Sequence, residues 1–356
     1  TVDFKRCFKK KEQSLPKALS IVFPTYNRGR LLFQTIEKIP QEILSQYPVI
    51  VIDNCSTLER EFYKKISDLA KKTIGLEYIR QDSNVGLKGN IISAFNHVKS
   101  DFFMVLSDED KPCYDNLDKI QTRLLSKNDI GAARVSTGTS SDYEANQVVY
   151  PNSQIFEPGY ESMNTFGLWG NYLSGGIFNT RLLRRNGILE ILRERGNLQS
   201  DYPHVVLYML ASAHYKTMLI EDIGCYIGKP EEKGGYEMAG NYYFGPYSYG
   251  SRVDQFLGFR NLIVNAYDSN TGLMSQHELI LLLVMLCKKY ITLVCGSNMP
   301  AYKRQTMEPK NLGLSFLNYC ISSLNDIPAF APNKQEFIEF LISHHNWVYE
   351  NIGLDL

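Results

Sequence analysis

Three adjacent acids, Asp108, Glu109 and Asp110, close the apolar run FFMVLSDED at residues 102–110. Like charges so close repel one another, so a ligand or solvent must offset the cluster. In an extended segment alternate side chains share a face, which points Asp108 and Asp110 together and Glu109 elsewhere. Two hard oxygen ligands on one face suit Mg²⁺ or Mn²⁺, which keep waters and take further oxygens from a diphosphate. The plainer alternative is an acidic turn ahead of a helix at CYDNLDKI (113–120).

Further polar residues have the types that would complete such a seat. Asp53, at the end of VIVID (49–53), can accept the N3–H of a uracil or thymine ring, and Asp82 can support the same base. Each is equally at home in a turn. NVGLKGN (84–90) sets Gly86 and Gly89 around Lys88 and ahead of Asn90, which lets backbone approach a ligand and aims N–H groups outward. Neither this segment nor PTYNRGR (24–30) is G-x-G-x-x-G, which disfavours a nicotinamide-type dinucleotide fold. WGNYLSGGIFNT (169–180) offers the face of Trp169 for stacking, and Gly175 and Gly176 permit close backbone approach; an ordinary buried Trp and a tight turn fit as well. The vicinal His344 and His345 lack a carboxylate or Cys partner pattern for zinc and read as surface.

The elements that must position these residues alternate. Short apolar runs at 19–27, 47–57, 75–84 and 101–110 read as strands, with helical stretches at RGRLLFQTIEKI, LEREFYKKISDLAKK and GNIISAFNHVKS between them. Ile91, Ile92, Phe95 and Val98 share one face of the last helix. Alternation of this kind predicts a parallel sheet with helices on both faces and ligands at the strands' carboxyl ends. Those ends read Thr25-Tyr26-Asn27, Asp53-Asn54, Asp82 and Ser107 to Asp110.

Residues 131–180 read as strands and loops that complete the sheet, and 183–213 as two helices separated at Gly196–Ser200. In LQSDYPHVVLYML (198–210), Asp201 stands where a helix N-cap would, with Pro203 in the first turn. The glycine- and tyrosine-rich stretch 234–250 is the best boundary; its Tyr242, Tyr243, Tyr247 and Tyr249 suit either a packed aromatic loop or the flank of a glycan. From 251 the pattern is helical, with Asn333 and Glu336 at capping-box spacing. The expected organisation is a basic leader (1–17), an α/β domain (18–240) and a helical C-terminal domain (251–356).

Bulk properties narrow the classes. The chain has 356 residues, 44% of them hydrophobic, enough for a large core, and its 38 basic and 38 acidic residues cancel, which argues against a nucleic-acid binder. Seven scattered cysteines without a C-x-x-C pair indicate a reducing, cytoplasmic compartment. The leader reads as a solvated tail, with peripheral contact at the inner face of the cytoplasmic membrane as the alternative, given its Lys and Arg interleaved with Phe4 and Phe8. LILLLVMLCKKYITLVCG (279–296) is broken by Lys288 and Lys289 and reads as a buried helix.

SIVFPTYNR, VIDNCST, NVGLKGN and FFMVLSDED, in that order, make the first 125 residues resemble family 2 glycosyltransferases of the GT-A fold. Among these the chain is similar to enzymes that extend bacterial O-antigens, capsules and other surface polysaccharides, such as abequosyltransferase-like enzymes. The resemblance implies a GT-A, Rossmann-like mixed sheet flanked by helices, with a helical C-terminal appendage. It further implies a nucleotide-sugar donor, a divalent cation (Mn²⁺ or Mg²⁺), and inversion at the anomeric carbon by direct displacement of hexosyl or N-acetylhexosaminyl type. Carried over by position, Asp53 would contact the base, Asp108 the ribose or metal, and Asp110 the metal. Pro24, Thr25, Tyr26 and Arg28 would wall the nucleotide pocket, and Asp82, Gly86, Lys88, Asn90, Ser107 and Glu109 would line it; Glu109 stands where relatives often have Asp or Ala. The base that takes the acceptor's proton would be Asp201, with His204 as understudy.

UDP is the default donor nucleotide and dTDP the next, and the acceptor a glycan or lipid-linked glycan. The C-terminal helices would serve as acceptor platform, membrane contact or oligomer interface. A sugar-1-phosphate nucleotidyltransferase would prefer a glycine-rich basic loop after the first strand, which PTYNRGR does not supply. A non-catalytic nucleotide- or glycan-binding subunit is the remaining alternative.

Overall fold

A computed structural model describes residues 18–139, 147–170, 172–229, 249–270, 272–295 and 309–352. The basic leader, most of the 234–250 loop and Tyr242, Tyr243 and Tyr247 lie outside them. The first half runs β1 (Leu19–Thr25), α1 (Gly29–Ile36), α2 (Gln41–Gln46), β2 (Val49–Asp53), α3 (Arg60–Ala70), β3 (Leu76–Arg80), α4 (Gly86–His97) and β4 (Phe102–Val105). Then follow β5 (Lys111–Pro112), α5 (Leu117–Leu125), β6 (Ile130–Thr139), β7 (Gln154–Phe156), a π-helical turn at Ser162–Gly167 and β8 (Gly176–Asn179). The chain continues as α6 (Ile188–Arg193), α7 (Asn197–Asp201), α8 (Pro203–His214), β9 (Lys216–Ile227), α9 (Tyr249–Ser269), α10 (Gln276–Cys295), α11 (Pro309–Asn325) and α12 (Lys334–Ile352).

The strands form one mixed sheet in the order β3-β2-β1-β4-β8-β6-β9-β5, with β7 also on β9. The first four are mutually parallel, whereas β8 runs antiparallel to both β4 and β6. Every residue of β1, β2 and β4 is buried, as expected of strands covered on both faces, while β3 at the edge is half exposed. Register sets Thr25 beside Asp53 and Val22 beside Val105, so the loops after β1, β2 and β4 open on the same rim.

Several sequence boundaries shift for local reasons. The first helical stretch ends early, at Ile36, and after Pro40 a further short helix, α2, follows; the fourth strand stops at Val105 because the acids turn: the Asp110 N–H donates to the Ser107 carbonyl at 3.1 Å. The expected break at Gly196–Ser200 is itself the short helix α7, so 183–213 holds three helices. The N-cap of α8 is Tyr202 rather than Asp201, with Pro203 at its first position.

α8 is apolar on all sides and buried from Pro203 to Ala213, because it lies between the sheet and α9. One apolar cluster runs from Val22 through Phe103, Phe178 and Tyr208 to Phe256, Leu283, Phe316 and Val348, so the C-terminal helices share the core of the sheet's helical face. α10 is buried as expected, including Lys289, whose Nζ donates to the Leu168 carbonyl and whose pKa burial pushes down to about 7. His344–His345 is not simply surface: His345 is buried, beside Gly313, and His344 hydrogen-bonds Thr292 at 3.0 Å and stacks on Trp347. Among the described residues no helix is long and apolar enough to cross a membrane.

Buried Asn90 ties the rim together, its Nδ2 donating to the carbonyls of Thr25 at 3.4 Å and Ile52 at 3.1 Å. Asn90→Leu removes both side-chain donations while the Thr25 carbonyl keeps the Asn54 N–H at 2.9 Å, and urea unfolding is expected to show a loss of about 1–2 kcal/mol.

Candidate active site

At the carboxyl end of β4 the chain drops into a turn that buries Asp108 and Asp110 and leaves Glu109 half exposed. The alternate burial expected from the sequence is kept although the segment is not extended. Glu109 accepts from Arg28 Nη1 at 3.0 Å, so the middle acid spends its charge on the loop after β1. Asp110 accepts the Gly228 N–H at 2.8 Å on Oδ1 and the Tyr172 hydroxyl at 2.9 Å on Oδ2. Burial raises its pKa to about 6, with hydrogen bonds from Ser174 and Gly228 holding it back.

Asp108 differs from its neighbours. Its Oδ1 is buried without a hydrogen-bond partner. Burial raises the pKa to about 8, which Thr25 and Arg28 only partly offset and the two adjacent acids aggravate. Thr35 Oγ1 fixes the loop beneath by donating to the Asp108 carbonyl at 3.2 Å. Ser107 is tied on the other side, its N–H donating to Ser174 Oγ at 2.8 Å.

A buried, unmatched carboxylate oxygen is what a cation would satisfy. Among the described residues no group of three His, Cys, Asp or Glu converges as a protein-only cage. The residues therefore fit a hard cation that takes one or two carboxylates, Asp108 first and Asp110 second, and completes its shell with water and diphosphate oxygens, as Mg²⁺ and Mn²⁺ do.

The rim after β1 and β2 is wired by polar side chains. Thr25 Oγ1 lies 2.9 Å from the Tyr63 hydroxyl, which also accepts the Arg28 N–H at 2.9 Å. Asp53 is wholly buried: its Oδ1 accepts the Ser56 N–H at 2.8 Å, and its Oδ2 accepts Tyr78 Oη at 2.7 Å and Arg80 Nη1 at 2.5 Å. With three donors on its carboxylate, Asp53 anchors the loop after β2. Asp82 is exposed, and what the structure ties there is its carbonyl, 3.6 Å from Cys55 Sγ. Pro24 lies inside β1, and Tyr26 is 37% exposed on the rim.

Gly86 takes the left-handed conformation, φ +69°, at the start of α4, with open space where a side chain would stand. Lys88 donates to the Glu194 carbonyl at 2.8 Å and so braces α4 against the chain after α6. Asn90 faces the strand ends rather than the loop mouth. Trp169 is 43% exposed, with Lys289 Nζ 5.7 Å from its ring centroid, so the lysine amine already holds part of its face. The glycines behind it serve the protein's own packing: a side chain at Gly175, φ +80°, would meet Val135, and one at Gly176 would meet the Tyr208 hydroxyl.

Asp201 ends α7, half buried, and its Oδ2 accepts Gln255 Nε2 at 2.7 Å. Burial raises its pKa, restrained by Gln255 and Arg252. His204 is buried in the first turn of α8, edge-on to Tyr202 and Tyr208 at 6.1 Å each.

Sequence reasoning placed Asn27 and Asn54 at the strand ends without a role, and missed Tyr63, Tyr172, Gly228 and Gln255. Asn27 has φ 57° and its Oδ1 accepts the N–H groups of Thr57 and Leu58 at 2.8 and 3.0 Å. Asn54 reaches Asn84 Oδ1 and the Val85 N–H, each at 2.7 Å. Both asparagines end strands and precede turns, which was the available signal. Nothing local marks Tyr172, Gly228 or Gln255, because their partners are 62, 118 and 54 residues away.

Residues 20–191 match the family described as Glycosyl transferase family 2. No curated protein sequence matches the chain. Residues 1–349 of TarS from S. aureus are similar in fold, with a TM-score of 0.56 and 13% identity over 95% of this chain and 92% of that one. The same portion of TarS in complex with UDP-GlcNAc gives 0.59 and 15% identity over 93% and 90%. For S. aureus TarS in a longer form the TM-score is 0.57 with 13% identity, covering 94% of this chain and 54% of that one. The fold is thus GT-A-like, a mixed sheet flanked by helices and joined to C-terminal helices, and residues 20–191 carry the likeness to family 2 glycosyltransferases.

Proposed function

We propose that this protein is an inverting, metal-assisted glycosyltransferase that moves a hexosyl or N-acetylhexosaminyl group from a nucleoside-diphosphate sugar to a hydroxyl of a glycan or lipid-linked glycan. The observation that carries the reading is Asp108 Oδ1, a buried and unpartnered carboxylate oxygen on the ligand rim of a family 2 domain. UDP is the first donor nucleotide and dTDP the second; the UDP-GlcNAc bound by the structurally similar TarS supports that order. Bacterial surface polysaccharide, extended from the inner face of the cytoplasmic membrane, is the proposed setting.

In this reading Thr25, Tyr26 and Arg28 wall the nucleoside, and Asp108 and Asp110 hold the cation. Bound there, Mn²⁺ or Mg²⁺ would supply the positive charge that stabilises the departing diphosphate. Asp201 accepts the proton of the acceptor hydroxyl as its oxygen attacks the anomeric carbon and the bond to the diphosphate oxygen breaks on the opposite face. A raised pKa makes Asp201 a better proton acceptor than an ordinary aspartate. Tyr172 and Gly228 keep Asp110 aimed, and the ion pair from Arg28 to Glu109 joins the nucleoside wall to the cation seat.

Differential scanning fluorimetry with UDP, dTDP, GDP and CDP, each with and without Mn²⁺, is the first test. A saturating uridine nucleotide with Mn²⁺ should raise Tm by several degrees, since ligand at 100 times Kd contributes about 2.7 kcal/mol. No shift with any nucleotide would remove the donor site.

Asp108 sets the pH dependence. Its folded pKa of about 8 exceeds the ordinary 3.8, so between those values the folded state keeps a proton the unfolded chain has released. Stability therefore falls as pH rises through that window. Asp108→Asn should raise the metal-free Tm at pH 8, change it little near pH 4, and abolish the Mn²⁺-dependent nucleotide shift.

Asp201→Asn should lower turnover by about 10²–10⁴-fold while nucleotide binding is kept. Unchanged turnover would move the base elsewhere.

A further inference from the structure

The hydrogen bond to Asp201 comes from α9, outside the residues that match the family. Gln255 is wholly buried, 0% exposed, and its Nε2 lies 2.7 Å from Asp201 Oδ2. Its Oε1 accepts from Arg252 Nη1 at 2.8 Å, which fixes the amide's orientation: a guanidinium has no acceptor, so the oxygen faces Arg252 and the NH₂ faces Asp201. Arg252 is itself buried, bonded to the Tyr202 hydroxyl at 3.3 Å with its guanidinium 5.9 Å from that ring's centroid. The relay thus returns to the residue after Asp201, making a closed loop of four side chains across the α7–α8 junction and α9.

We propose that Gln255 is a positioning residue for the transfer reaction, holding the Asp201 carboxylate in its proton-accepting orientation, and that Arg252 orients Gln255. The inference rests on Asp201 being the base. It makes the C-terminal helices part of the catalytic apparatus: the site takes its donor half from the sheet rim and the support of its base from α9. An amide suits this place because it donates to the carboxylate without a formal charge, so Asp201 stays a base. A Lys or Arg there would bring full positive charge against the carboxylate and depress its basicity.

The charged and titratable groups around Asp201 are few. Arg252 faces it from α9 and Tyr290 from α10, with Tyr202 and His204 next to it at the head of α8. Lys88, on α4, is directed to the Glu194 carbonyl.

The test uses the full chain with ¹³C-labelled aspartate carboxyl groups, the Asp201 resonance being assigned by its loss in Asp201→Asn. Gln255→Leu removes the donor, so the Asp201 titration midpoint should rise by about one pH unit. The acid limb of the pH–rate profile for UDP release from UDP-GlcNAc should rise with it, while the donor's KM stays within about twofold. Gln255→Glu, nearly isosteric, covers the case in which the leucine variant does not fold; a second carboxylate there should raise the Asp201 midpoint further. An unmoved midpoint in the folded variant overturns the positioning role. A moved midpoint with wild-type turnover in Asp201→Asn instead overturns the assignment of the base, and the positioning role falls with it.

Discussion

Everything around the rim answers to one electrostatic constraint: two carboxylates, Asp108 and Asp110, withdrawn from water at the end of a strand buried on both faces. Taking charge out of water is costly unless hydrogen bonds or counter-charge offset it. Asp110 has its hydrogen bonds, from the chain after β9 and from Tyr172. Asp108 has no such supply on Oδ1. The fold tolerates that imbalance because the loop beneath is pinned from several directions, by Thr35, Ser174 and the ion pair between Arg28 and Glu109.

The pinning residues are mostly neutral and polar. Asn27 and Asn54 satisfy loop N–H groups, and Asn90 adds a donor to carbonyls at the strand ends. Asp53 does the same with its charge balanced by Arg80. A rim built this way is rigid before any ligand arrives, so binding need not bear the cost of ordering the loops.

The sequence showed the parallel half of the sheet clearly, because VIVID and LSIVFPT are continuous β-branched or apolar runs bounded by polar turns. It showed the acids for the same reason: they interrupt such a run. What it concealed is which way polar side chains turn. Asp53 and Asn90 stand at ligand-facing places in the chain but spend their bonds inward, since register brings Arg80, Tyr78 and the Thr25 carbonyl within reach. Gly175 and Gly176 look like ligand space and are filled by Val135 and Tyr208. The support of Asp201 from Gln255 was not legible at all, because α9 has too little contrast between its faces to reveal which one docks on α7.

The apolar cluster that runs without interruption from Val22 in the first strand to Val348 in the last helix bears on how such chains can diversify. Where two modules meet through a thin polar seam, recombination can exchange one and leave the other intact. Here a crossover between β9 and α9 would cut through a continuous interior and pair residues shaped for different neighbours. New specificities in this architecture are expected to arise by point substitution along the rim loops, or by exchange of α8 and α9 as one inherited block.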